Sequence, residues 1–338
     1  MNYPQFKVCC ICWTFNQSRY IIDTLNGFTM QQTSFPFVCC IVDDASTDGE
    51  QDVIRKYLEK NFDFSEGSVA FHKETDYAHI TYAQHKTNKQ CYFAVLYLKE
   101  NHYSQRKPKM QYLSEWRNLC EYNAMCEGDD YWITSSKLQE QADILDKYQN
   151  ISICSGGYQD KKDGVFGDVH LLNLNNGDDF IYTYDDWKKY WLAKTLTIMY
   201  RIADLEDYNQ KTKNYKYTRD THLIHHLLMV GNGYYFSKVL GVYNIQPGGI
   251  CSMISKKQKA IDWYNCWNEL YIYNRDEISR IRAFRARNAV IRYGFPNISN
   301  KLVFLRDTIK MVRRPEEVGI LLKSIIKVLF DNNKQTDE

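Results

Sequence analysis

Two short apolar runs near the start, each of strand length and each followed by a helical pattern, limit what this chain can fold into. The first, Lys7–Phe15, is rich in cysteine, and Asn16-Gln17-Ser18 after it is a turn and helix-start signal. Ile21, Leu25 and Phe28 then recur at helical spacing. The second run, Phe37–Val42, ends in Asp43-Asp44-Ala45-Ser46-Thr47-Asp48-Gly49-Glu50, where Thr47 and Glu50 have capping-box spacing. Val53, Ile54, Tyr57 and Leu58 continue a buried helix face, and Ser68–His72 reads as a third strand. Apolar strands separated by helices belong to a parallel sheet covered on both sides. In such sheets ligands bind beyond the carboxyl ends of the strands. The polar clusters lie at those ends: Asn16 after the first run, Asp43 and Asp44 after the second, and Glu127–Asp130 after Tyr122–Cys126. Solubility alone does not explain that placement.

Residues 73–118 are polar and aromatic-rich, and read as an irregular excursion with one or two helices. Beyond the acidic turn, Ser136 and Gln139 again have capping-box spacing, and Leu138, Ala142 and Leu145 give a helix face. Ile151–Ser155 and Leu196–Arg201 read as strands, Asp220–Val230 as a helix, and Gly233–Ile245 as a strand or hairpin closed by Gln246-Pro247-Gly248-Gly249. From Lys256 the pattern is helical. The expected architecture is α/β, with a Rossmann-type, mostly parallel sheet and flanking helices over 1–252 and a basic helical extension over 253–338. Residues 275–314 carry eleven Lys and Arg against Asp276, Glu277 and Asp307, a local net of +8. The closing segment Pro315–Phe330 sets Val318, Leu322, Ile325 and Leu329 on one face.

The net charge of +2 over 338 residues argues against a nucleic-acid-binding chain. The 11 cysteines are an odd count and cluster in apolar runs, as buried thiols in a reducing compartment do. The start lacks a signal peptide's pattern, and no apolar stretch approaches the ~20 residues of a spanning helix. These features place the chain in the cytoplasm, and the basic, amphipathic stretch 275–330 suggests peripheral contact with the inner face of the plasma membrane. His222, His225 and His226 have no Glu between them to make the hydrolytic zinc motif, so they read as packed or solvated histidines. Trp187, Trp191, Trp263 and Trp267 suit core packing or stacking on a sugar.

The strongest chemical signal is Glu127-Gly128-Asp129-Asp130-Tyr131-Trp132. Clustered carboxylates repel one another, and a divalent cation offsets that repulsion. Mg²⁺ in particular binds through one or two carboxylates together with substrate phosphates. An acidic turn before a helix is the plainer alternative. The second acidic strand end at Asp43-Asp44 favours the functional reading.

Three motifs carry a resemblance. Thr14-Phe15-Asn16, then Val42-Asp43-Asp44-Ala45-Ser46-Thr47-Asp48-Gly49, then Cys126–Trp132 followed by Lys137-Leu138-Gln139, together resemble a family-2 glycosyltransferase with the GT-A fold. The resemblance covers 5–60 and 120–158, with weaker echoes at Lys194–Arg201, Arg219–Leu227 and Val242–Ser252. It implies a nucleotide-sugar donor, a UDP-sugar first among them, and a saccharide or lipid-linked acceptor. Thr14, Phe15, Asn16, Asp43 and Asp44 would then contact base and ribose, and Glu127 the ribose. Asp129, with Asp130 as second candidate, would hold Mg²⁺ or Mn²⁺. Such enzymes invert the anomeric carbon by a single displacement, and Asp220, in Thr218-Arg219-Asp220, best matches the base that deprotonates the acceptor. Three departures stand out. Glu127 occupies a position where relatives often have Asp, and Gln246 one where many have His. The Ala-Arg-Asn-type helix before the acidic motif is missing, unless Arg117-Asn118 is its remnant. The rival readings are an idle sugar-nucleotide-binding or scaffold protein and a nucleotidyltransferase, although Thr14-Phe15-Asn16-Gln17 is not the Gly- and basic-rich phosphate loop the latter needs.

Overall fold

The structure, a computed structural model, describes residues 3–246 and 254–331. The expected parallel sheet is present, as the centre of a larger mixed one. Strands β1 (Val8–Thr14), β2 (Phe37–Asp43), β5 (Cys91–Leu98) and β6 (Tyr122–Met125) run parallel in the order β6-β1-β2-β5. β1 and β2 pair in full register, Val8 opposite Phe37 through Thr14 opposite Asp43. Helices α1 (Ile21–Thr29) and α2 (Glu50–Asn61) make the crossovers.

Both faces of these strands are buried, which explains why they read as unbroken apolar runs. Val8, Cys10 and Cys12 face one core with Cys39, Ile41, Phe93 and the apolar sides of α1, α2 and α4 (Lys137–Lys147). Cys9 and Ile11 face a second core with Val38, Cys40, Leu96 and Trp116 of the single-turn helix α3 (Ser114–Arg117). The ten cysteines among the described residues are free thiols, and only Cys120 is not fully buried.

The segment read as an irregular excursion contains sheet instead. β3 (Phe71–Glu74), β4 (Ala78–Gln84) and β5 form an antiparallel run that ends on the inner strand β5, whose eight residues are all buried. On the other side, β11 (Met199–Arg201) lies antiparallel between β6 and β8 (Ile151–Lys162), and β12 (Asn232–Ile245) runs parallel to β8. β9 (Val165–His170) pairs with β8, while β10 (Phe180–Tyr182) and β7 (Tyr131–Trp132) pair with β12. The proposed capping boxes do not form. Gly49 precedes α2 in a left-handed conformation, and the Ser136 hydroxyl donates to Glu140 rather than capping α4.

The chain forms two compact units. The first comprises Met1–Tyr184, Trp191–Tyr208 and His226–Gln246; the second comprises Asp185–Tyr190, Asn209–His225 and Pro247–Glu338. The first holds the sheet. The second holds α6 (Asp220–Val230) up to His225 and the helices α7 (Lys256–Asn274), α8 (Glu277–Arg292), α9 (Lys301–Ile309) and α10 (Pro315–Asp331), after the short α5 (Glu206–Lys211). Asp185–Tyr190 and Asn209–His225 of the second unit lie within residues 1–252.

Candidate active site

The acidic turn is built by continuing the pairing of β1 with β6. Cys126 and Gly128 donate their amides to the carbonyls of Ile11 and Trp13, at 3.1 and 3.0 Å. Position 128 has no room for a side chain: a Cβ there would lie 2.2 Å from Thr14 Oγ1 and 2.5 Å from Gln17 Oε1. From α1, the buried Thr24 hydroxyl lies 2.9 and 2.6 Å from the carbonyls of Gly128 and Asp130. The turn leads into β7, and β7 pairs with β12, so the end of β12 meets the carboxylates. Asn244 donates its amide to Asp130 Oδ1 at 2.9 Å, and Gln246 Nε2 donates to Asp129 Oδ2 at 2.6 Å.

The ligand atoms of Glu127, Asp129 and Asp130 all lie within 4.8 Å of one another. Glu127 is exposed, Asp129 half-buried and Asp130 1% exposed. Burial raises the carboxyl pKa of Asp129 above the usual range. Burial, reinforced by the charges of Asp129 and Glu127, raises that of Asp130 well above it. Lys194 opposes both shifts, its ammonium held 3.3 Å from the centroid of the Tyr243 ring. Three oxygen ligands so close together, two of them destabilised as anions, form a donor set that suits a hard divalent cation. Asp129 is the more accessible of the two aspartates. Asp130 is tied to β12 through Asn244, and that bond braces the turn.

The other residues expected at the nucleotide lie beside the turn, in different states. Asn16 sits in the left-handed region at φ 53, receives Thr47 N on its Oδ1 at 2.8 Å, and donates its own amide to Ser46 Oγ at 2.9 Å. Phe15 is 42% exposed, an open aromatic face. Thr14, by contrast, is buried, and its hydroxyl donates to Glu50. Asp43 is fully buried; its Oδ1 accepts from Ser46 N at 3.1 Å and Gln51 Nε2 at 2.6 Å, while its Oδ2 has no partner among the described residues. Asp44 is 1% exposed, with its carboxylate taken up by His102 N at 2.8 Å, Tyr103 N at 3.0 Å and Lys109 Nζ at 2.8 Å. In this structure Asp44 therefore fastens the 102–109 loop to the end of β2.

Glu50, read from sequence only as part of a cap, is a residue that reasoning missed. It is 0% exposed, and it accepts from Gln17 N at 2.8 Å and Ser46 Oγ at 2.9 Å as well as from Thr14. One buried carboxylate thus joins the loops after β1 and β2. An acidic residue opening a helix is so common that its sequence carries no sign of this role.

In the second unit, Asp220 is exposed at the start of α6 and accepts from Thr221 N at 2.7 Å. His222 and His225 are buried and face Glu269 and Asp276, each at 3.2 Å. Trp187 and Trp267 are buried against each other with centroids 5.2 Å apart, whereas Trp263 is 52% exposed. In the first unit, His226 is buried and its Nε2 lies 2.7 Å from the Asp204 carbonyl, and Trp191 is 40% exposed. Gln246 closes β12 as expected, but the Pro247-Gly248-Gly249 turn lies outside the described residues.

A parallel centre, an antiparallel strand beside β6, and an acidic turn at the carboxyl edge of β6 define a glycosyltransferase fold of the GT-A type. TarS of S. aureus, residues 1–349, solved in complex with UDP, superposes with a TM-score of 0.56 at 17% identity, over 98% of this chain and 93% of that one. Its complex with UDP-GlcNAc gives 0.57 at 16% identity, over 98% and 92%. These likenesses establish the fold. No family model matches the chain. Curated relatives include the uncharacterized proteins Mb1547 of Mycobacterium bovis and Rv1520 of Mycobacterium tuberculosis, each 30% identical over 141 residues. That match takes in 42% of this chain but spans only about a third, 32%, of the length of those relatives.

Proposed function

We propose that the chain is a nucleotide-sugar-dependent, inverting glycosyltransferase that binds its donor at the acidic turn. The observation that carries this reading is the grouping of Glu127, Asp129 and Asp130 within 4.8 Å at the carboxyl edge of a parallel sheet. Asp129 would be the main ligand to Mg²⁺ or Mn²⁺, with Asp130 behind it and Glu127 turned to the ribose. The bound cation would offset charge on the departing diphosphate. Lys194 supplies a second positive charge whose field already reaches both aspartates. Phe15 and Asn16 offer an open aromatic face and an ordered loop for the base. Gln246 holds Asp129 where the family resemblance implies His, so on this reading an amide orients the metal ligand. Asp220 would deprotonate the hydroxyl of a saccharide or lipid-linked acceptor from the face opposite the leaving group.

UDP is the first nucleotide to test, because the TarS complexes hold UDP and UDP-GlcNAc. Thermal stabilisation by UDP, GDP or dTDP should appear only with Mn²⁺ or Mg²⁺, and Asp129→Ala should abolish it. Asp220→Asn should keep the stabilisation and lose sugar transfer. No shift with any of the three nucleotides would sink the donor site. Normal transfer by Asp220→Asn would remove Asp220 as the base.

A further inference from the structure

The second unit carries a surface that the donor site does not use. The sequence suggests one apolar face on the closing helix, and α10 has a buried side and an exposed apolar one. Glu317, Leu321 and Ser324 are buried, with Ile325 half-buried beside them. On the outward side Val318, Leu322, Ile326, Leu329 and Phe330 are 46, 53, 51, 63 and 70% exposed. Their spacing of four, four, three and one keeps all five on one arc of the helix. A contiguous stripe of large apolar side chains left in water marks a docking surface.

The neighbouring charge identifies what it docks to. Lys323 and Lys327 are exposed along one edge of the stripe, neither paired with a carboxylate among the described residues. No acidic residue occurs between Glu317 and Asp331. Lysine is depleted from protein–protein interfaces but favoured beside the apolar face of helices lying in a lipid headgroup layer. Two arginines of the basic segment before α10 are not available for such contact. Arg280 is buried against Glu277 and Glu317, and Arg287 is buried against Thr308 and the Phe304 carbonyl. The lysines of α10 lie at the edge of the stripe itself, and the exposed Arg275, Arg285, Arg292, Lys301, Arg306 and Lys310 add positive charge elsewhere on this unit. Thirteen residues from Val318 to Phe330 rise only ~20 Å, too short to cross a bilayer, and no described helix is long and apolar enough to do so.

We propose that α10 lies flat on an anionic lipid surface, with Val318, Leu322, Ile326, Leu329 and Phe330 among the acyl chains and Lys323 and Lys327 at the phosphates. Flotation of the full chain with vesicles tests this. The chain should rise with vesicles of equal parts phosphatidylcholine and phosphatidylglycerol and far less with phosphatidylcholine alone. Leu322→Glu/Ile326→Glu should lower partitioning about tenfold or more, because two apolar side chains that would enter the lipid are lost. Lys323→Glu/Lys327→Glu should lower it about tenfold through the surface potential. All of these side chains are exposed, so the melting temperature and the nucleotide-induced shift should match those of the unaltered chain. Failure to float with anionic vesicles, or equal flotation of Leu322→Glu/Ile326→Glu, overturns the proposal. So does light scattering that shows a dimer dissolved by that same substitution in a chain that does not float, since the stripe would then face a second copy.

Discussion

Lys137 shows how much one side chain can reveal about the interior of this fold. It opens α4 beneath the acidic turn, is 0% exposed, and meets Gln141 Oε1 at 2.7 Å and the Trp132 ring at 4.1 Å. No carboxylate among the described residues pairs with it. Burial pushes its ammonium from 10.5 down to about 8. Below about 8 the folded and unfolded chains are both protonated there, and the desolvation cost of up to about 3 kcal/mol is carried in full. Between about 8 and 10.5 the unfolded chain binds the extra proton, so this site makes the protein more stable as pH rises. Lys137→Met removes the titration. The expected outcome is a variant more stable than the parent at pH 7, with the gap in urea midpoints closing by pH 10. A gap independent of pH would show that Lys137 stays charged in the fold.

At the scale of elements, the 102–109 loop hangs on one carboxylate. Asp44→Ala would strand two backbone amides and the Lys109 ammonium, at a cost of about 3–5 kcal/mol. Hydrogen exchange should then speed up at His102 and Tyr103 and leave the β1–β2 amides protected; unchanged exchange would contradict the tether. The same loop marks how far the sequence was legible. β1, α1, β2, α2 and the acidic turn are readable because each apolar run is short, unbroken and closed by a turn signal. Cys91–Leu98 is just such a run, yet it follows two antiparallel strands instead of a helix. His79 and Thr81 in β4 and the exposed ends of β3 make the preceding stretch look like loop. The site divides in the same way. The clustering of Glu127, Asp129 and Asp130 follows from adjacency in the chain. The withdrawal of Thr14, Asp43 and Asp44 into hydrogen bonds, and the role of Glu50, depend on loops that meet only in three dimensions.

For the whole molecule, the division into two units predicts what truncation does. The second unit is closed by contacts between its early and late segments. Trp187 packs on Trp267 and accepts from Arg282, and Glu269 accepts from Lys216 N and Tyr217 N at 2.7 and 3.1 Å. His225 meets Asp276. A chain ended at residue 252 keeps Trp187, Lys216, His222 and His225 but loses every one of those partners. It should bind the dye ANS and unfold in urea at a lower midpoint, while an unchanged midpoint would show that 1–252 is self-sufficient. The central sheet offers a way to watch such changes. Cys9, Cys10, Cys12, Cys39, Cys40 and Cys91 lie at zero exposure on β1, β2 and β5, so a thiol-specific reagent reaches them only when the parallel strands separate. With Cys120 replaced by serine, the rate of labelling at these six sulfurs becomes a clock for the opening of the parallel half of the sheet, read without any substrate.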